Sequence, residues 1–382
     1  MNKRIDIFMF IDAMGWEIIK DRNFLTDLLP YRRPVKMQFG YSSTAIPTIL
    51  SGAPPTAHKH LSFYYYSPAL SPFKIFHRLM LHKLPKSIMS RWRVRHILSK
   101  LVARFNGYTG YFEMYAMPFE KIHYFDYIEK KDIFVPGGLA PVPNLADRLV
   151  EKKIPYHISN WRLSEEENVA ALISDIEKGD ISFAFLYTAA MDGLLHMDTK
   201  SGKRVGPKLD WYAAKIRKIA ELAGKHYGEF SISVFSDHGM TTKTGVVDVI
   251  KHVESLGLKF GKDYVATYDS TLGRFWFLND TARSKITGIA GKIPHSTIVS
   301  QEEKRKYGID FADNMYGEMI LLMEPGYQIE PCDMGLKALP GMHGYSPEHE
   351  DSNAAFLSTE EPNPQPEWVG DYFKIMMNRI GK

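Results

Sequence analysis

Four short polar clusters in this 382-residue chain carry side chains of the types that hold metal cations. Asp12 follows the apolar run IDIFMFI, Asp192 and His196 lie in MDGLLH, Asp237 and His238 lie in FSDHGM, and His343 sits in the Gly-rich GMHGY. Singly, each has an ordinary explanation. An aspartate after a strand often caps a helix, an Asp–His pair four residues apart can decorate a helix surface, and a lone buried histidine is usually satisfied within the core. Together the six supply the nitrogen and oxygen donors that suit zinc or manganese. Cys332 is the only cysteine, which excludes a cysteine-rich metal site and any intrachain disulfide.

Such a site also needs a nucleophile. The segment FGYSSTAIPTILSG offers Ser42, Ser43 and Thr44 ahead of an apolar run with helical spacing. A loop-to-helix junction aims backbone N–H groups at a phosphate, and a bound metal lets a hydroxyl attack without a neighbouring general base. The residues alone leave all three hydroxyls as candidates, with a plain serine N-cap as the competing explanation.

The elements that must position these groups alternate between short Ile/Val/Phe-rich runs and amphipathic stretches, the pattern of a parallel α/β sheet. Strands are expected over residues 5–11, 154–159, 181–187, 231–236 and 354–357. Helices are expected over 143–152, from a capping box at Ser164 and Glu167 to about 178, over 208–227, and from about 368 to the end. Each polar cluster then falls just past a strand or in a loop, where open α/β sheets bind ligands. The expected fold is a three-layer α/β/α sandwich with a mostly parallel central sheet, formed by residues 1–60, 141–254 and 336–382. Residues 61–140 read as a basic, aromatic insertion or lid, and 255–335 as a smaller subdomain or cap.

Composition is ordinary for a globular chain, with 45% hydrophobic and 24% charged residues, so disorder is excluded over most of the length. No stretch approaches twenty apolar residues, and Asp12 interrupts the apolar N-terminal run before it could serve as a signal peptide. Cytoplasmic residence is the resulting expectation. Charge is uneven. The net value is +4, yet residues 74–104 hold nine of the 48 Lys and Arg and none of the 44 acids, leaving 39 basic against 44 acidic residues elsewhere. From Leu28 to Phe112 there is no Asp or Glu.

The ordered set Asp12, SSTAIPTILSG with PPTAH, MDGLLH, SDHGM and MHGY resembles the alkaline phosphatase superfamily, and within it the nucleotide pyrophosphatase and type I phosphodiesterase branch. SDHGM and HGY are the more specific elements, and their co-occurrence with D-x-x-x-H in this order spans most of the chain. The resemblance implies two divalent metal ions, zinc or manganese, with Asp12, Asp237 and His238 binding one and Asp192, His196 and His343 the other. It also implies a nucleophile ten residues before the Gly of a TG-like turn. Counting back from Gly52 gives Ser42, with Ser43 and Thr44 in reserve. A C/S-x-P-x-R sulfatase motif is absent. The implied activity is a phosphodiesterase or nucleotide pyrophosphatase with a phosphoserine intermediate. A phosphomonoesterase, a mutase or a phosphoryl-group transferase would use the same ligands, and a non-catalytic binding protein is disfavoured by the full ligand set with a hydroxyl.

The implied substrate is a small phosphate ester or a lipid-linked phosphate, with no nucleic acid polymer. In residues 74–104 apolar side chains alternate with basic ones at roughly helical spacing, with Pro85 between two segments. Two readings compete: a lid helix whose apolar face packs on the catalytic domain, or a cationic surface, carrying Arg91, Arg93 and Arg95, that touches anionic membranes. The sequence leaves oligomeric state open.

Overall fold

Alternation along the first strand sets the layers. In Arg4–Ile11, residues Ile5, Ile7, Met9 and Ile11 enter one apolar cluster while Phe8 and Phe10 enter another, as the pleat requires. Helices Glu165–Lys178 and Val205–His226 cover the first face. Helices Ser42–Ser51, Leu145–Glu151 and Asp371–Arg379 cover the second, over Phe183, Phe185, Phe235 and Phe356. Burial on both faces is why these strands read as nearly unbroken apolar runs. This computed structural model describes residues 4–380, so the first three and last two residues of the expected core segments lie outside the described residues.

The central sheet has the order Tyr31–Val35, Ala354–Ser358, Glu229–Phe235, Arg4–Ile11, Phe183–Thr188, Tyr156–Ile158. The last four run parallel, and Ala354–Ser358 is antiparallel to both of its neighbours. The architecture is the expected α/β/α sandwich with a mostly parallel sheet. The capping box expected at Ser164 forms: its hydroxyl accepts from Glu167 N, and the Glu167 carboxylate accepts from Ser164 N. Two elements differ from expectation. The strand Tyr31–Val35 has the sequence YRRPV, too polar to announce itself, and its Pro34 is tolerated because the strand lies at the sheet edge. Asp192 and His196 lie inside a nine-residue helix, Ala190–Asp198.

Within residues 255–335 a four-stranded antiparallel sheet forms in the order Tyr264–Tyr268, Leu272–Phe277, Met319–Met323, Ser296–Ile298. Residues 61–140 contain a two-stranded antiparallel pair, Tyr64–Tyr66 with Phe125–Tyr127, and the helix Trp92–Asn106. Their aromatic cluster, including Tyr64, Phe73, Phe112 and Phe125, also takes in Val265 and Trp276 from the four-stranded sheet. Fully buried Arg274 ties the two regions polarly. Its Nη1 donates to Tyr64 O (2.7 Å), its Nη2 to Ser62 Oγ (3.0 Å) and its Nε to Asp269 Oδ2 (3.1 Å). Among the described residues no helix is long and apolar enough to cross a membrane.

The loops after two central strands can meet only because both present glycine. A Cβ on Gly15 would lie 2.3 Å from Gly239 Cα and 2.8 Å from Asn353 O, and one on Gly239 would lie 2.3 Å from Asp351 O. These are backbone atoms, which cannot swing aside. Gly15→Ala is therefore expected to lower the unfolding free energy by on the order of 3 kcal/mol through overpacking. Gly288→Ala, in an open helical position, is expected to be neutral or stabilising by up to about 1 kcal/mol. Urea denaturation of both variants measures this, and equal midpoints would show that the loops have room to part.

Candidate active site

Three adjacent parallel strands deliver the chemistry at their carboxyl ends. Arg4–Ile11 runs into Asp12, Glu229–Phe235 into Asp237 and His238, and Phe183–Thr188 into the helix that bears Asp192 and His196 on consecutive turns of one face. His343 arrives from the far end of the chain, after the short strand Gly341–Met342, which pairs with Thr241–Thr242. A Cβ on Gly341 would meet Leu195 O at 2.3 Å, so this strand can lie directly against the Asp192 helix.

The six residues come together as two triads, Asp12–Asp237–His238 and Asp192–His196–His343, with donor atoms in each all within 4.8 Å of one another. His238 Nε2 is 3.2 Å from Asp237 Oδ2 and 3.6 Å from Asp12 Oδ1. Asp192 faces His196 Nε2 at 3.4 Å and His343 Nε2 at 3.6 Å. The triads adjoin, since the His238 and His343 rings stack with centroids 3.8 Å apart. Backbone carbonyls orient two of the imidazoles. His238 Nδ1–H donates to Gly239 O and His196 Nδ1–H to Gly341 O, both at 2.8 Å, which turns each Nε2 lone pair into the site.

The residues fit bound cations on their own chemistry. Asp237 Oδ2, Asp192 Oδ1 and His343 Nδ1 are buried without a hydrogen bond. Desolvation, with repulsion from Asp237 and Asp192, pushes the Asp12 carboxyl well above its ordinary range, and Asp237 is raised mainly by desolvation. Asp192 is also desolvated, but His196, His343 and His238 outweigh that and lower its pKa. Burial, together with the neighbouring His238, drives His343 towards its neutral form, the form that ligates metal. Ala13, in a left-handed conformation at φ 61°, donates its N–H to Asp237 Oδ1 (3.2 Å), which couples the two loops at the cost of local strain.

The three candidate hydroxyls have different fates. Tyr41, not a serine, is the N-cap of Ser42–Ser51, so Ser42 occupies the first helical position. Its Oγ lies 3.0 Å from His238 Nε2 and 3.4 Å from Asp12 Oδ1. Ser43 Oγ is buried without a partner, and Thr44 Oγ1 donates to Leu61 O and faces away. Gly52 closes the helix at φ 67° with its N–H on Thr48 O, and Thr48 in turn bonds His58 Nε2 of the PPTAH segment at 2.9 Å. His58 thus braces the helix and joins neither triad.

Two cavities of about 410 and 390 Å³ open on Ser42 and Asp192 and share Phe63 and Tyr115. The high aromatic density of residues 63–127 was the only sequence sign of these walls. Sequence reasoning missed Glu129 and Asp269, single acids with no motif around them. Glu129 is buried on the wall of the smaller cavity, and desolvation alone pushes its carboxyl up to about 8. Tyr187 donates its hydroxyl to Asp12 Oδ2 at 3.4 Å.

No curated protein sequence matches this chain at a significant level. Among solved structures, human ectonucleotide pyrophosphatase / phosphodiesterase 5 is similar with a TM-score of 0.68 at 12% identity, covering 99% of this chain and 94% of its own. The murine protein, in an inactive form in complex with AMP, is similar with a TM-score of 0.67 at 13% identity and the same coverages. At such identities the likeness establishes the fold. The model of the type I phosphodiesterase / nucleotide pyrophosphatase family matches residues 7–346, nearly the whole chain and all six residues of the two triads. The chain therefore belongs to the type I phosphodiesterase / nucleotide pyrophosphatase family and is a metal-dependent phosphoric ester hydrolase.

Proposed function

We propose that this protein hydrolyses phosphodiesters or nucleotide pyrophosphates through a covalent intermediate on Ser42, with two divalent ions, zinc or manganese, in the paired triads. The observation that carries the reading is the placement of Ser42 Oγ, bonded to His238 and beside Asp12 on the shared wall of two cavities. Asp12, Asp237 and His238 would hold one ion and Asp192, His196 and His343 the other. Such ions supply charge neutralisation and Lewis acidity at a phosphoryl group. Three carboxylates leave two divalent ions with one residual positive charge, which suits an anionic ester.

The chain's own residues do the rest. The amino end of the helix Ser42–Ser51 points its dipole at the incoming phosphoryl group and holds Ser42 Oγ against it. Ser42 gives up its hydroxyl proton to solvent as Oγ–P forms and the bond to the leaving oxygen breaks, the leaving oxygen taking a proton from solvent. Water then adds its oxygen to phosphorus as Oγ–P breaks, and Oγ regains a proton. Tyr187 steadies Asp12 throughout. Phe63, Tyr111, Tyr115 and Trp161 line the smaller cavity and offer flat apolar faces to a leaving group, while Glu129 offers a hydrogen-bonding carboxyl. That the murine neighbour was solved with AMP supports a nucleotide among the ligands worth testing. On this reading residues 61–140 and 255–335 roof a catalytic core formed by 1–60, 141–254 and 336–382.

Purified protein is expected to carry about two equivalents of zinc or manganese, and chelation to abolish activity and lower Tm, because bound metal stabilises the folded state. Full activity after rigorous metal removal, checked by elemental analysis, would sink the two-ion reading. Ser42→Ala is expected to lower kcat by roughly a thousand-fold or more with metal content retained. Ser43→Ala and Thr44→Ala should keep turnover, and an active Ser42→Ala protein would make direct attack by water the better mechanism. Bis-(nitrophenyl) phosphate should give a higher kcat/KM than nitrophenyl phosphate. The reverse order would assign a phosphomonoesterase.

A further inference from the structure

The helix Trp92–Asn106 turns a mixed face inward, with Leu98, Val102 and Ala103 in or against the aromatic cluster beside two buried polar side chains. Arg95, Ser99 and Val102 are its buried residues. Arg95, 6% exposed, donates Nη1–H to Met117 O (2.6 Å) and Nε–H to Met89 O (3.0 Å), and lies over the Phe119 ring. Ser99 donates to Arg95 O at 2.9 Å and also reaches the Glu113 carboxylate. A second set of large apolar residues faces solvent: Trp92 is 68% exposed, Ile97 59%, Leu101 44% and Phe105 84%. Ile97, Leu101 and Phe105 repeat every four residues and form one stripe. The same face is cationic, with Arg91, Arg93, Lys100 and Arg104 all exposed.

The stripe belongs to a larger patch. Of the nineteen exposed large hydrophobic residues among the described ones, ten lie between Leu70 and Phe105. Scattered apolar residues need no explanation, but so many exposed within one short stretch of chain point to an interaction surface. Its charge selects the partner. With no Asp or Glu from Leu28 to Phe112, two copies meeting through this face would set like charge against like. A surface with anionic headgroups above an apolar layer satisfies both features at once, because rings and aliphatic chains enter the acyl boundary while Arg and Lys remain among the headgroups.

We propose that residues 70–105 form a docking surface for anionic lipid membranes, with the helix Trp92–Asn106 lying in the interface and Ile97, Leu101 and Phe105 inserted. This corrects the sequence expectation in two respects. The apolar residues of the helix are divided, with Leu98, Val102 and Ala103 packed into the aromatic cluster and Ile97, Leu101 and Phe105 left outside it, and Arg95 belongs to the interior and not to the membrane-facing set with Arg91 and Arg93. The surface is separate from the six triad residues and from Ser42, so docking and hydrolysis can be measured apart.

Flotation of the full chain with phosphatidylcholine vesicles, with and without phosphatidylserine, tests the proposal. Binding is expected only to the phosphatidylserine vesicles and is expected to weaken as salt rises. Replacing Arg93, Lys100 and Arg104 with Gln should lower the partition coefficient by about two orders of magnitude. Replacing Ile97, Leu101 and Phe105 with Ser should abolish binding even at low salt. Both variants should hydrolyse a soluble nitrophenyl ester at the rate of the unaltered protein, which shows that they fold. Equal binding to neutral vesicles, no binding at low salt, or a concentration-dependent dimer that replaces vesicle binding in sedimentation would each overturn the proposal.

Discussion

Asp12 and Asp237 are buried side by side with half-buried Asp192 next to them, and their mutual repulsion is the constraint around which the site is organised. No surface arrangement would need three neighbouring carboxylates kept from water, since desolvation makes each charge costly without compensation. The compensation within the chain is partial. Three imidazoles, two of them oriented by backbone carbonyls, soften the field without cancelling it. Bound metal completes that compensation, which is why metal dependence and the fold are two aspects of the same electrostatics.

Bringing these groups together is a problem of close approach. Parallel strands set Asp12, the Asp192 helix and Asp237 side by side at the carboxyl ends of three central strands. The final convergence then depends on backbone meeting backbone at Gly15, Gly239 and Gly341, where a methyl group has no room. The left-handed Ala13 stores strain at the same junction. Above the site, the aromatic cluster of residues 61–140 is continuous with the four-stranded antiparallel sheet through Val265 and Trp276, and Arg274 bridges the two with three hydrogen bonds. The cavities are therefore walled by regions that brace each other, and a rigid wall is what a positioned nucleophile requires.

Much of this was legible in residue order alone. The alternation of buried strands with amphipathic helices follows from local periodicity, and the Ser164 capping box follows from chemistry confined to four residues. Five of the six Asp and His side chains could be grouped because they follow apolar runs whose ends lie at the sheet's carboxyl edge, while His343, in a Gly-rich loop, was joined to them only by the order of motifs. What local pattern could not supply was decided by distant segments. Ser42, Ser43 and Thr44 are told apart in sequence only by a count back from Gly52, and the approach of His238 to Ser42 and of the Leu61 carbonyl to Thr44 is what separates their surroundings. Helical spacing in residues 92–106 reveals two faces but not which one turns inward, because Arg95 finds its acceptors in Met89 and in Met117, twenty-two residues away. Glu129 and Asp269 join the cavity walls through contacts that leave no periodic trace. Short-range patterns report the backbone state, since that depends on neighbours along the chain. Burial and partnership of single polar groups depend on which surfaces meet, and that is settled only when the chain is folded.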